Sequence, residues 1–171
     1  MGKALVVIDV QNDYFPGGKF PLWNTEETLA TTVKAVHRAK EKGIPVILIQ
    51  HIADSSRGIA PFFNGGTPGA ELHQAVKEAA TDAPVVVKAF ADSFHQTCLE
   101  EVLARLGVTE LLLCGMMTQN CVTHTAISKS AEKYAVTVLT DCCTTVDQMI
   151  HLIGLNALST RVALATAAEA V

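Results

Sequence analysis

Six short apolar runs, spaced at fairly even intervals and without in/out alternation, constrain this chain more than any other feature. They cover 4–10, 45–51, 83–88, 110–115, 135–140 and 161–165, and they are rich in Val, Ile and Leu. A strand that faces solvent on one side alternates apolar and polar residues, whereas a strand buried on both faces does not. The runs therefore predict a parallel sheet covered by helices. The segments between them have helical spacing. Residues 25–42 place Leu29, Val33 and Val36 on one face, with Asn24 as the expected cap, Glu27 at the reciprocal position, and Gly43 and Pro45 as the stop. Helices are likewise predicted over 69–80, 96–106, 121–133 and 146–159, the last with Val146, Ile150, Ile153 and Ala157 as its apolar set. Strand–helix alternation with right-handed crossovers gives an α/β fold, a three-layer α/β/α sandwich around a mostly parallel six-stranded sheet of expected order 3-2-1-4-5-6. No repeat, linker or low-complexity stretch interrupts it, so one domain over 1–171 is expected.

Composition excludes several classes. The apolar runs are far shorter than the roughly 20 residues of a membrane-spanning helix. The first run ends at Asp9, too soon for a signal peptide, so a cytoplasmic protein without membrane contact is expected. The net charge is −4 and the basic residues around Lys34, Arg38, Lys40 and Lys42 read as a solvated helix face, leaving no footprint for nucleic acid. Five cysteines, an odd number without C-x-x-C spacing, fit neither a disulfide framework nor a zinc ribbon. The long irregular stretch 53–68, with Arg57, Phe62, Phe63 and a Gly65-Gly66 pair, reads as a lid or binding loop.

In an open parallel sheet, ligands bind beyond the carboxyl ends of the strands, where strand order reverses. The residues that end the strands are Asp9, followed by Gln11, Asn12 and Asp13; Lys88; and the turn 115–120 leading to Cys121 at a helix start. With the expected order, Asp9 and Cys121 converge and Lys88 approaches from the side. A helix N-terminus and a nearby ammonium both lower a thiol pKa, so Cys121 is placed to become a thiolate. A carboxylate in reach can move the thiol proton, and backbone N–H groups of the turn can cradle an oxyanion. Each residue also has an ordinary reading: Asp9 as a turn residue or cap, Lys88 as a solvated strand end, Cys121 as a small packing residue. Only their joint position raises them above it.

The segment Val7-Ile8-Asp9-Val10-Gln11-Asn12-Asp13-Tyr14-Phe15 resembles the D-x-Q-N-D-F opening of the isochorismatase-like cysteine hydrolases. Lys88-Ala89-Phe90-Ala91-Asp92-Ser93-Phe94, with Thr97 and Leu99, is similar to that family's K-x-x-x-[DS]-x-F-x-x-T-x-L pattern. Gly115-Met116-Met117-Thr118-Gln119-Asn120-Cys121-Val122 ends in the C-V that follows its G-x-x-T turn. The resemblance implies a catalytic triad of Asp9, Lys88 and Cys121. It also implies a cis peptide between Met116 and Met117, and an oxyanion hole from the N–H groups of Met117 and Cys121. Nicotinamidases of the family carry an Asp-x-His pair for a metal; here Ile49-Gln50-His51 lacks the Asp, so neither metal nor cofactor is expected. His124, one turn beyond Cys121, is a rival base on spacing alone.

The resulting expectation is a hydrolase that opens a small amide or carbamoyl C–N bond through a Cys121 thioester. The alternatives are an isochorismatase-type enol-ether hydrolysis relying on the acid of Asp9, or a redox-sensing member without catalysis. Gln11, Phe15, Trp23 and Phe62 are the candidate substrate-contacting residues. The expected partners are a small-molecule substrate and further copies of the chain, as a dimer or tetramer.

Overall fold

In the computed structural model, which describes residues 2–171, the strand β1 (Gly2–Ile8) lies at the centre of the sheet, and from Ala4 to Ile8 it is almost wholly buried. It pairs with β2 (Val46–His51) on one side and β4 (Val108–Met116) on the other. The strands β3 (Val85–Lys88), β5 (Ala135–Thr144) and β6 (Ala163–Ala165) complete the order β3-β2-β1-β4-β5-β6. Every pairing is parallel, so the sheet is wholly rather than mostly parallel. Crossovers run outward from β1 in opposite directions, and the right-handed rule then sends their helices to opposite faces. On one face lie α1 (Thr25–Glu41), α2 (Gln74–Ala79) and α6 (Ala167–Ala170); on the other lie α3 (Leu99–Arg105), α4 (Thr123–Ala126) and α5 (Gln148–Leu158). Among the described residues, no helix is long and apolar enough to cross a membrane.

Register does the positioning. Ile8 sits opposite both Ile49 and Gly115, and His51 sits opposite Lys88. The ends of the four adjoining strands are thus level, and the residues just past them share one edge of the sheet. Gly115 permits this closeness. Its φ is 120°, and a Cβ there would stand 2.0 Å from the carbonyl oxygen of Ile8.

Several local expectations give way to tertiary contacts. Asn24 does not cap α1 through its side chain: it sits at φ 52°, and only its carbonyl accepts from Thr28 N–H. The predicted helix 69–80 shortens to α2, preceded by a single 3₁₀ turn at Pro68–Ala70. Gly69 lies against the Asp13 carboxylate, and Leu72 forms an antiparallel bridge with Gln11, so the segment is held in extended form by the loop after β1. The predicted helix 121–133 begins earlier, in a π-helical turn (Thr118–Val122), and breaks after α4.

The fourth correction concerns α5. Its buried residues are His151, Gly154 and Leu158, while Val146 and Ile153 are exposed along with Met149 and Leu152. The reason is steric: a Cβ on Gly154 would lie only 3.2–3.3 Å from Gln119, so the helix turns its smallest residue toward the turn that carries Cys121.

Gly115→Ala is expected to lose about 3 kcal/mol or more through overpacking on β1 and a backbone conformation that alanine resists. A lowered urea midpoint at unchanged m would register it.

Candidate active site

Asp9 follows the last residue of β1 in left-handed backbone geometry (φ 52°) and is fully buried. This conformation is uncommon for a residue with a side chain. Lys88, the last residue of β3, donates from Nζ to Asp9 Oδ2 at 2.8 Å, to the carbonyl of Phe90 at 2.9 Å, and lies 3.1 Å from His51 Nδ1. Both members of the Lys88–Asp9 pair have side chains with no exposed area. Asp9 Oδ1 is buried and has no hydrogen-bond partner. Cys121 enters from the π-helical turn, a local geometry that recurs at functional sites. A carboxylate oxygen of Asp9, an imidazole nitrogen of His51 and the sulfur of Cys121 lie within 4.8 Å of one another. The three residues singled out on separate strand ends thus meet, and His51 joins them. The Met116–Met117 peptide is cis.

The electrostatics are those of a dry pocket. Burial pushes the Cys121 thiol far above its ordinary range; the Asp9 charge adds to that and Lys88 opposes it. The lowering expected of the Cys121 pKa beside Lys88 is thus outweighed by burial and the Asp9 charge. Burial pulls Lys88 down, but Asp9 and then Cys121 outweigh it and hold the ammonium above its ordinary value. Tyr14, also buried, is raised first by burial and then by the charges of Asp9 and Cys121.

The Lys88 ammonium already occupies the position between Asp9 Oδ2 and His51 Nδ1 that a cation would take, and Ile49 stands where the Asp-x-His pattern needs a carboxylate. His124 is exposed, and its Nδ1 lies 2.8 Å from the carbonyl of Asn120 in its own turn, so it serves the helix backbone rather than the thiol.

Of the proposed substrate-contacting residues, Gln11 is wholly buried and engaged by the backbone. Its Nε2 donates to the carbonyls of His51 and Ala70, each at 2.8 Å, and its Oε1 accepts from His51 N–H at 2.7 Å. That clamp replaces the substrate contact expected of it. Phe15 packs on His73, and Phe62 lies in an aromatic cluster with Tyr14, Phe20 and Phe63. Trp23 stands beside His151 in a cavity of about 170 Å³ with Glu27 and Asp141. The loop 53–68 is anchored by Asp13 Oδ2, which accepts from Phe63 N–H at 2.8 Å, and it lays Phe63 against Tyr14 and His51.

Sequence reasoning missed a latch between the Lys88 segment and the Cys121 helix. Thr125 Oγ1 accepts from Ser93 N–H at 3.0 Å and donates to Ser93 Oγ at 2.8 Å, while Ser128 Oγ donates to Asp92 Oδ2 at 2.8 Å. Asp92 and Ser93 lie within the second motif, but its spacing carries no information about which helix they bind.

The comparisons with known proteins agree with this geometry. The fold and the cluster at its sheet edge define a hydrolase of the α/β/α type, and the Isochorismatase domain model matches residues 3–170, so the chain belongs to the isochorismatase family. The isochorismatase family protein YddQ of Bacillus subtilis is 39% identical over 151 residues, covering 88% of this chain and 82% of that protein. The streptothricin hydrolase of Streptomyces noursei is 32% identical over 145 residues, covering 85% of this chain but 55% of its own length. The crystal structure of an isochorismatase family protein from Desulfovibrio vulgaris superposes with a TM-score of 0.87 at 26% identity, covering 97% of this chain and 94% of that one.

Two outcomes follow from the site. Asp9→Asn removes the negative charge that opposes thiol ionisation and leaves Lys88 in place, so the Cys121 pKa falls. Alkylation of Cys121 by iodoacetamide near neutral pH, followed by mass spectrometry, is expected to be roughly tenfold faster in that variant, the equivalent of one pKa unit. Thr125→Val leaves Ser93 N–H buried without an acceptor and is expected to lose ~1–3 kcal/mol in denaturant unfolding, with Thr125→Ser largely neutral.

Proposed function

We propose that this protein hydrolyses a small amide or carbamoyl compound through a thioester on Cys121. The observation that carries the reading is the division of labour on Asp9: Oδ2 is held by Lys88, while Oδ1 is buried and unpartnered, and the carboxylate lies within 4.8 Å of the Cys121 sulfur. Such an oxygen accepts the Cys121 proton as sulfur bonds to the substrate carbonyl carbon. The carbonyl electrons move to oxygen, where the N–H groups of Met117 and Cys121 receive the charge. Collapse breaks the C–N bond, and Asp9 passes its proton to the departing amine. Water then attacks the thioester with Asp9 as base and returns the sulfur to its thiol. Lys88 keeps Asp9 in place and offsets the negative charge throughout.

A protonated, buried nucleophile next to a carboxylate suits amide cleavage, since an amine leaves only if it receives a proton. Enol-ether hydrolysis needs the acid of Asp9 but no nucleophile, so the 2% exposed sulfur at the centre of the cluster goes unused in that reading. A redox sensor presents an exposed, low-pKa thiol, whereas Cys121 is 2% exposed and its pKa is raised by burial and Asp9.

The outer face of α5 supports self-association as a dimer or tetramer: the helix has no charged residue, and Met149, Leu152 and Ile153 are 66%, 51% and 60% exposed. Light scattering of Leu152→Glu is expected to show a shift toward monomer.

Screening amides, carbamates and ureas tests the chemistry. Cys121→Ala is expected to lose at least about 10⁴-fold in kcat/KM, and the acyl adduct seen by mass spectrometry in the native protein should be absent. Full turnover in the Ala variant would rule out the thioester.

A further inference from the structure

The Lys88 ammonium has three N–H donors, and the structure supplies three acceptors: Asp9 Oδ2, the Phe90 carbonyl and His51 Nδ1. An ammonium has no lone pair. The contact with His51 therefore requires an unprotonated Nδ1, which places the single ring proton of neutral imidazole on Nε2. The tautomer is set by the chemistry of the partner.

His51 is also held more firmly than its surroundings demand. Gln11 grips its backbone from both sides, accepting from its N–H and donating to its carbonyl. The Phe63 ring flanks the imidazole at 5.8 Å between centroids, and the β2–β3 register puts His51 directly opposite Lys88. The groups that face it are Lys88 from β3, Asp9 after β1, and Cys121 from the nucleophile turn. Tyr14 and Asp13 stand behind Phe63. Its side chain is 21% exposed, against none for Asp9 and Lys88.

We propose that His51 is a positioning residue for this site: its unprotonated Nδ1 takes one Lys88 N–H and so directs the ammonium onto Asp9. The proposal rests on the hydrolytic reading above, because only there does the alignment of Lys88 affect a rate. Protonating His51 sets two cations against each other and removes the acceptor, so the ammonium turns away from its place. Burial and then Lys88 hold the imidazole below its ordinary pKa, with Asp9 acting against them, and the site therefore stays aligned down to mildly acidic pH.

The direct test needs no substrate. Long-range ¹H–¹⁵N correlation spectra of the native protein, taken across pH, report the tautomer and titration of each histidine. The Nε2–H form is expected at His51. In Lys88→Met the cation is gone while the Asp9 charge remains, so His51 is expected to titrate at higher pH. An Nδ1–H tautomer at His51, or a titration unmoved by Lys88→Met, overturns the proposal even if amide turnover is found. With a substrate in hand, His51→Gln keeps an acceptor that cannot titrate in this range. It is expected to extend the acid limb of kcat to lower pH, whereas His51→Leu loses about 10- to 100-fold in kcat at every pH. An acid limb identical in native and His51→Gln protein also overturns it. Loss of the thioester reading shows separately, as turnover that survives Cys121→Ala while the His51 tautomer is as stated.

Discussion

The buried ion pair between Lys88 and Asp9 is the constraint around which this molecule is arranged. Two unit charges with no exposed side-chain area cannot remain in a protein interior without each other. Removing one partner of such a pair typically costs about 3–5 kcal/mol, because the other is left uncompensated. The fold meets that demand by bringing two strand ends, separated by 79 residues of chain, into register at one edge of the sheet. Asp9 turns inward through a left-handed backbone conformation, and Lys88 finds its remaining acceptors in the Phe90 carbonyl and the His51 ring.

Cys121 gains its chemistry from that pair rather than from its own position on a helix. A helix start and a cation favour a thiolate, but burial and the Asp9 carboxylate oppose it and prevail. The result is a buried thiol of raised pKa beside a carboxylate, which under the proposed mechanism would give up its proton as sulfur bonds to a carbonyl carbon. The surrounding contacts keep these atoms still. Gly115 lets β4 approach β1, Gly154 lets α5 approach the nucleophile turn, and the Ser93–Thr125 and Asp92–Ser128 bonds tie the segment after Lys88 to the helix after Cys121.

Much of this was legible in the chain. The unalternating apolar runs imply strands covered on both faces; all six strands appear within a few residues of the predicted bounds, β5 extending furthest past them, but the edge strand β3 alternates and leaves Val85 and Val87 exposed on one face. The three motif residues at strand ends meet as expected. Gln11, by contrast, looked like a pocket residue because it follows Asp9 in a motif; its amide is engaged by the backbone of His51 at the end of β2 and of Ala70, both far away in sequence. The apolar set chosen for α5 was also displaced. Hydrophobic periodicity finds a stripe, but a steric approach such as that of Gly154 to Gln119 decides which stripe turns inward.

What the amino-acid order determined alone was the local and repetitive part: strand periodicity, the helix stop at Gly43 with its positive φ, and a carboxylate, an ammonium and a thiol placed at element ends. Those features depend on neighbours within a few residues, so pattern suffices to read them. The rise in the Cys121 pKa, the contact of His51 with Lys88 and the engagement of Gln11 were decided only by the tertiary structure. Each depends on charges and acceptors contributed by segments tens of residues away, at distances where one ångström changes the balance between desolvation and attraction, and a linear sequence carries no such distances.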